Sequence, residues 1–192
     1  MYEEKRMPQF SRMRKSGVFA AIAVVLVLSI GGGVSAQDAT TGSATATVTT
    51  ILSITATQAL IFGTVYQGVP KSIAENVTAS SGIFTITGQA LAGISLYAQM
   101  PEYMATSTGD DRMPVAFSTT DAAYDSTANA NPATASGGML TNINPNAIPA
   151  TTVIGGGGGS HLFLGGRVLP SPNQKAGAYT ADIIITVSYI GT

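Results

Sequence analysis

The end of the chain, GAYTADIIITVSYIGT at 177–192, alternates with a period of two. One side of this segment carries Tyr179, Ala181, Ile183, Ile185, Val187 and Tyr189, and the other side is mostly polar. Successive side chains of a β-strand point to opposite faces of the sheet, so this pattern predicts a long strand with one apolar face. Because an unpaired strand edge invites uncontrolled association, the strand must have a neighbour on each side.

A second alternating segment, 44–56, lies towards the other end of the chain, and Ala44, Ala46 and Val48 lie on one of its faces. Small side chains suit a shallow groove, so residues 43–50 are predicted to cover the free edge of the closing strand beside Ile183 and Ile185. The pattern does not decide whether this segment comes from the same chain or from a neighbouring one.

Further strands are predicted from apolar and β-branched runs at 59–68, 82–88, 92–100, 112–120 and 161–170. The short turn between 82–88 and 92–100 favours a hairpin. Gly63 indicates a bulge or a close backbone approach, and Pro114 confines the start of its strand to an edge or a bulge.

Residues 119–160 differ in composition, being rich in Ala, Asn, Thr, Gly and Pro and ending in GGGGGS. They are predicted to form a long surface excursion with one short strand at 139–143. With about seven or eight strands and no helical period, the pattern is typical of an all-β antiparallel sandwich. A closed barrel is the alternative, since sequence does not show whether sheet edges meet.

The N-terminus is arranged as a secretory signal peptide. Residues 1–16 carry five Lys and Arg, residues 18–30 carry no charge, and VSA at 34–36 places small residues before a cleavage point. This uncharged run is shorter than the ~20 apolar residues of a membrane-spanning helix, although an uncleaved anchor is the rival interpretation. The sequence therefore predicts a signal peptide at 1–36, an N-terminal extension at 37–50 and a β domain at 51–192.

The mature part holds four Lys and Arg against eight Asp and Glu, a net charge of −4. Such a balance opposes binding to nucleic acid or to an anionic membrane surface. The chain has no cysteine. An exported protein without disulfides depends on packing, on a metal or on neighbours in an assembly for its stability.

Candidate chemical residues are few. His161 is the only histidine, and the chain has neither a Gly-x-Ser-x-Gly motif nor a cysteine nucleophile, so a surface or strand-start position is expected for it. Asp110, Asp111, Asp121 and Asp125 could bind calcium or form a glycosidase pair, but their spacing matches no calcium loop and favours turn formation. No catalytic residue, metal site or cofactor is predicted.

A sugar-binding module would need exposed aromatic rings. The chain has no tryptophan, and the candidate rings are Tyr66, Tyr97, Tyr103 and Tyr124. Scattered tyrosines more often cover a core with the hydroxyl directed outward, which is the favoured interpretation.

Three stretches together resemble a family of secreted bacterial β-proteins classified as a domain of unknown function: LSITATQALIFGTV, GIFTITGQALAGISL and LFLGGRVLPSPNQKAGAYTADIIITVSY. In the last stretch Gly177, Tyr179, Val187 and Tyr189 match the family pattern in identity and spacing. The layout is similar, more distantly, to spore-coat-U-like proteins and archaic chaperone–usher pilins. The resemblance implies an Ig-like or pilin-like sandwich and assembly into a surface fibre or coat.

Three functions are weighed on this basis. The first is an exported, pilin-like structural subunit that reaches the cell surface through the periplasm and assembles by β-strand addition. Its expected partners are copies of itself, together with the chaperone and outer-membrane export machinery that the resemblance implies. The second is a monomeric secreted adhesin or ligand-binding module that uses 119–160 as its binding surface. The third, a hydrolase, requires acids that converge in a cleft.

Overall fold

The computed structural model describes residues 43, 45–46, 48, 50–135, 140–149 and 151–191. The chain divides into two compact units, residues 1–46 and 47–192, and every strand described below belongs to the second unit. The predicted signal peptide at 1–36 lies outside the described residues.

The described residues form thirteen strands, and every strand pair is antiparallel. In chain order the strands are β1 (Ser53–Gln58), β2 (Lys71–Ile73), β3 (Gly82–Thr87), β4 (Gly93–Gln99), β5 (Tyr103–Thr106), β6 (Arg112–Ala116), β7 (Ala122–Asp125), β8 (Leu140–Ile143), β9 (Thr152–Val153), β10 (Gly159–Leu164), β11 (Gly166–Val168), β12 (Tyr179–Thr180) and β13 (Ile184–Tyr189). A 3₁₀ turn spans Pro145–Ala147. Within the described ranges, no helix is long and apolar enough to cross a membrane.

The strands form three sheets, with orders β1-β3-β10-β7-β8, β12-β5-β6-β11-β2 and β13-β4-β9. Several strands continue from one sheet into another. Gly165 alone separates β10 from β11, residues 100–102 separate β4 from β5, and residues 181–183 separate β12 from β13. These continuous segments tie the three sheets together through the covalent chain.

The segment formed by β10 and β11 is central in two sheets. β10 is bonded to β3 and β7, and β11 is bonded to β2 and β6. Leu162 and Leu164 face the main core, whereas Phe163 packs on the opposite face against Ile83 and Ala123. Both faces of β10 are covered, which explains why Leu162, Phe163 and Leu164 are consecutive apolar residues that do not alternate with polar ones.

Besides the small cluster around Phe163, two larger apolar clusters stabilise the fold. The main core joins the first and third sheets and contains Phe84, Ile86, Ile94, Leu96, Ala122, Tyr124, Ile143, Ile154, Leu162 and Leu164. The second cluster lies against the β12-β5-β6-β11-β2 sheet and contains Phe62, Met113, Val115 and Val168. Burying each large side chain contributes about 1.5–3 kcal/mol, so these clusters replace the absent disulfides.

The prediction of a long closing strand is confirmed, with one interruption. β12 pairs with β5 and β13 pairs with β4, and the alternation predicted from sequence is observed as half-buried Ile185, Val187 and Tyr189 between exposed neighbours. The interruption at 181–183 coincides with the break between β4 and β5, so both members of the pair bend together.

Two predicted strands are shorter than expected or absent. Of the segment 44–56, residues from Ser53 onward form β1, whose partner β3 ends at Thr87, and the described residues before Ser53 belong to no strand. Residues 59–68 form no strand. Gly63 has a φ of 64°, a left-handed conformation that interrupts an extended chain.

The predicted hairpin between 82–88 and 92–100 is wrong, although both strands exist. β3 pairs with β1 and β10, whereas β4 pairs with β13 and β9 in a different sheet. Leu91, between them, has a φ of 60°, and Leu91 N donates to Ile154 O, so the connection crosses between sheets.

Pro114 does not lie on an edge strand, since β6 is paired with β5 and β11. Leu169 N donates to Pro114 O. In a regular ladder Pro114 N would donate back to Leu169 O, but proline has no backbone N–H. The β6 ladder with β11 ends at this point, which is why proline is tolerated there.

The 119–160 segment is not a simple surface excursion. It contains the predicted short strand, observed as β8, but also β7, whose four residues are all buried beside β10. Further along, Ala135 packs on the cluster around Phe163. The small residues of this segment therefore allow close packing on the central strand, which its composition alone does not reveal.

Two glycines of the GGGGG run provide a matched test of this close packing. A Cβ at Gly155 would lie 1.6 Å from the carbonyl oxygen of Ser126, whereas a Cβ at Gly157 would meet nothing within 4 Å. Gly155→Ala is expected to lower the free energy of unfolding by about 3 kcal/mol or more, because backbone must move to admit the methyl group. Gly157→Ala is expected to change it by less than about 0.5 kcal/mol. Urea denaturation of both variants checks this, and equal effects would contradict the packing described.

Candidate functional site

The free edge of β13 presents unpaired backbone groups. Ile190 N donates to Gly93 O, and these two residues are opposite each other in the register of β13 and β4. Hydrogen-bonded and non-bonded pairs alternate along an antiparallel ladder, so the even-numbered residues of β13 face β4. The N–H and C=O groups of Ile185, Val187 and Tyr189 therefore point away from β4, to the side where no strand is paired among the described residues.

The free edge of β1 has the same property. Gly88 N donates to Gly158 O, which directs the even-numbered residues of β3 towards β10 and its odd-numbered residues towards β1. Thr87 and Thr85 lie opposite Ser53 and Thr55. Consequently Leu52, Ile54 and Ala56 direct their N–H and C=O groups away from β3.

The two free edges border the same core. The side chains of Leu52, Ile54, Ile183, Ile185, Val187 and Tyr189 are half-buried and pack on the main core cluster. We call the region of the core bordered by these residues the slot. On both edges, the same residues have side chains that face the core and backbone groups that point away from the paired strand. A strand added at either edge would bond to these backbone groups.

Tyr189 closes one end of the slot. Its hydroxyl accepts a hydrogen bond from Gln89 N at 2.7 Å and donates to Thr50 O at 2.9 Å. A Cβ at Gly88 would lie 2.7 Å from this hydroxyl and 2.9 Å from Leu52 Cδ1, so only glycine leaves room for the contact. The chain preceding β1 is thereby held at Thr50, at the end of the slot.

The slot is narrower than a strand requires at its closest point. Cα atoms of β1 and β13 approach within 8 Å, whereas a strand bonded to both edges needs about 9.5 Å between them, twice the spacing of neighbouring strands. Insertion of a strand therefore requires β1 and β13 to move apart by at least about 1.5 Å at this point, and no strand pairing between them opposes the movement.

The predicted assembly residues fall into two groups. Ile183, Ile185, Val187 and Tyr189 line the slot, whereas Tyr179 lies on β12 and packs on the second cluster. Ala44 lies outside the described residues. Ala46 and Val48 are exposed and belong to no strand.

Asp110 and Asp111 form a polar network with the loop before β12. Asp110 accepts from Lys175 Nζ, and Asp111 Oδ2 accepts from the hydroxyl of Tyr179 at 2.5 Å and from Gln174 Nε2 at 2.9 Å. The hydrogen bond from Lys175 lowers the pKa of Asp110, and that from Tyr179 lowers the pKa of Asp111. Removal from water, followed by the nearby Asp111 carboxylate, raises the pKa of Tyr179.

The four acids do not converge on one centre. Asp121 accepts from Ser118 N in a turn, and Asp125 is buried and accepts from Thr127 N. In the part of the chain that the structure describes, no three His, Cys, Asp or Glu side chains are arranged to hold a metal ion. The acids instead stabilise loops, as their spacing indicates.

His161 and Tyr124 are buried, contrary to the expectation of a surface histidine and an outward hydroxyl. His161 stacks on Phe163 with ring centroids 6.0 Å apart, and its Nδ1 lies 3.2 Å from Thr127 O. The hydroxyl of Tyr124 donates to Val153 O at 3.0 Å, and burial raises the pKa of this tyrosine. Tyr66, Tyr97 and Tyr103 are exposed, but they do not line a common cleft with the acids.

Sequence reasoning missed Gln174 and the outward direction of the backbone groups. Gln174 is 6% exposed and bonds Asp111, but a glutamine in a Pro- and Asn-rich turn gives no sequence signal. The backbone groups of alternate residues in a strand point to opposite edges, so the direction of a given group depends on which edge is paired. The alternation in the sequence could have indicated the free groups of β13 only if its pairing with β4 had been known.

In comparisons with known proteins, no family model matches the chain and no curated protein matches it significantly.

The carboxylate network predicts a pH dependence of stability. A carboxyl whose pKa is lowered on folding adds stability above its unfolded pKa, here 3.8, and that stability is lost as pH falls through the folded pKa. Asp111→Asn is expected to be less stable than wild type at pH 7 and to lose less of its stability from about pH 5 down to about pH 2. Urea midpoints across this range check the change of slope, and Asp182→Asn, which removes the same charge from an exposed site, is the matched control.

Proposed function

We propose that this protein is an exported structural subunit of a cell-surface fibre or coat, which assembles when a strand is added to the slot between β1 and β13. The observation that carries the proposal is the orientation of the two free edges. Leu52, Ile54 and Ala56 on one edge direct unpaired backbone groups away from β3, Ile185, Val187 and Tyr189 on the other direct theirs away from β4, and both strands border the main core. Each hydrogen bond formed there would contribute about 0.5–1.5 kcal/mol, in addition to burial of the half-exposed side chains.

The sequence before β1 supports donation to a neighbour. We call residues 37–50 the N-terminal arm. To enter its own slot beside β1, the arm would have to reverse direction within Val48 to Ile51, a run of β-branched residues that are poor in tight turns. The nearest glycine is Gly42, and the residues before it, QDATT, have no apolar alternation. An arm that continues away from Thr50 can reach the slot of another copy.

The arm also matches the slot in size and period. Ala44, Ala46 and Val48 share one face, and small side chains are compatible with a groove that is partly closed. Within the proposal, the sheets that share the main core are the two layers of an Ig-like, pilin-like sandwich. Residues 1–36 are the signal peptide, and export through the periplasm with a chaperone belongs to the same proposal.

Deletion of the arm tests strand donation. Mature protein that begins at Gln37 is expected to form filaments in negative-stain electron microscopy, whereas protein lacking residues 37–50 is expected to remain as single particles. A synthetic peptide of residues 37–50 at a hundred times its Kd should stabilise the truncated protein by about 2.7 kcal/mol, measured by urea denaturation.

The matched control is the same peptide with Ala46→Asp and Val48→Asp, which places charge on the face that would be buried. Equal stabilisation by both peptides would contradict strand insertion. Wild-type protein that stays monomeric at high concentration would contradict assembly and favour the monomeric binding module.

Two proline substitutions in β13 test the direction of the edge. The N–H of Val187 faces the slot, whereas that of Ser188 faces β4. Val187→Pro is expected to keep the fold and lose assembly, because an edge strand tolerates proline when the missing N–H faces outward. Ser188→Pro is expected to destabilise the domain by about 3 kcal/mol, because it removes a ladder hydrogen bond. Circular dichroism and sedimentation separate the two results, and the reverse order would contradict the assigned edge.

A further inference from the structure

A cavity of about 720 Å³ lies beside the second cluster, and none of the residues that line it belongs to the slot. One wall is the segment 60–67, the other is the loop 174–179, and Phe62, Met104 and Met113 contribute its apolar floor. This volume lies within the range of small-molecule sites, about 300–1,000 Å³. Two methionines in the floor can adapt to ligands of varied shape.

Hydrogen bonds join the two walls of the cavity and fix their positions. Gly68 N donates to Ser171 O at 3.0 Å, and Gln67 Nε2 donates to Gln174 O at 2.6 Å. Gln174 is itself bonded to Asp111, which joins the loop to the sheet. The cavity is therefore preformed, as ligand sites usually are.

The mouth of the cavity exposes apolar surface to water. Ile61 is 49% exposed and Tyr66 is 72% exposed, and both line the opening. Because exposing apolar surface to water is unfavourable, an apolar ligand that covers these residues and fills the space above Phe62 would bind favourably.

A cation lies beside the cavity. Lys71 is opposite Val168 in the register of β2 and β11, so it shares the sheet face on which the second cluster packs. Its ammonium donates to Thr64 O at 3.0 Å and lies 3.6 Å from the Cβ position of Gly63, and both residues line the cavity. Lys175, also at the cavity, is paired with Asp110, whereas Lys71 makes no ion pair with a described carboxylate.

We propose that this cavity binds a single-chain amphiphile with a carboxylate head. The acyl chain lies over Phe62, Met104 and Met113, and the carboxylate accepts a hydrogen bond from Lys71. An uncompensated ammonium beside an apolar space selects an anionic head, and a charged hydrogen bond orients it. This site is independent of strand addition.

Isothermal titration of the purified protein with decanoate, below its micelle concentration, tests the proposal. Saturable binding of one decanoate per chain is expected. Lys71→Met is expected to weaken decanoate binding about tenfold, the effect of losing one charged hydrogen bond, and to leave the binding of decanol unchanged. Ala178→Trp, an exposed position that lines the cavity, is expected to abolish the binding of both probes.

Arg167→Met is the matched control, because Arg167 lies beside Val168 on the same strand and its side chain therefore points to the opposite sheet face. It removes the same charge and is expected to bind decanoate as wild type does. Absence of saturable decanoate binding would overturn the proposal, as would an equal loss in Arg167→Met or an unchanged affinity in Ala178→Trp.

Discussion

The rest of the structure depends on the pairing of the central strand formed by β10 and β11. This segment is bonded on both sides throughout, and β10 is also covered on both faces, so other strands form the edges of the sheets. Every open sheet has edges, and these edges differ in their protection. β9 and β12 have two residues each, β2 has three and carries Lys71, and β8 contains Asn142 with a φ of 56°. Short, charged or irregular edges resist association, whereas β1 and β13 are six residues long and adjacent to the core, and the register shift in β1 is confined to its end, between Ala56 and Gln58.

The part of the fold around the second cluster is held in a different way. Its cluster has four buried residues, and much of the order in the loop before β12 comes from Gln174, Asp111 and Tyr179. This network joins Gln174 in the loop before β12 to Asp111 in the turn between β5 and β6, so the same polar contacts that stabilise the fold also fix one wall of the cavity. Packing in the main core leaves β1 and β13 as edge strands, and polar contacts in the second region border the cavity.

Much of the fold could be predicted because strand formation has a local signature. The alternation from Tyr179 to Tyr189 and the apolar run around Leu162 both became strands in the expected positions. Pairing was less predictable, because β3 and β4 are adjacent in sequence yet belong to different sheets. Burial of β7 was missed, since Ala-rich segments look like loops unless the close-packed partner is known. Of the candidate site, the closing strand was identified from sequence, whereas β1's free edge and the cavity were not.

The sequence by itself determined which segments are extended and which of their faces are apolar, because these depend on the side chains of consecutive residues. It also determined a chain without cysteines, with a net charge of −4 over residues 37–192, for which packing, a metal or neighbours are the available sources of stability. Only the tertiary structure decided that β1 and β13 border the same core with free edges on the sides away from β3 and β4, and that Lys71 lies beside a cavity. Those arrangements depend on hydrogen-bond partners far apart in the chain, about which the local period carries no information.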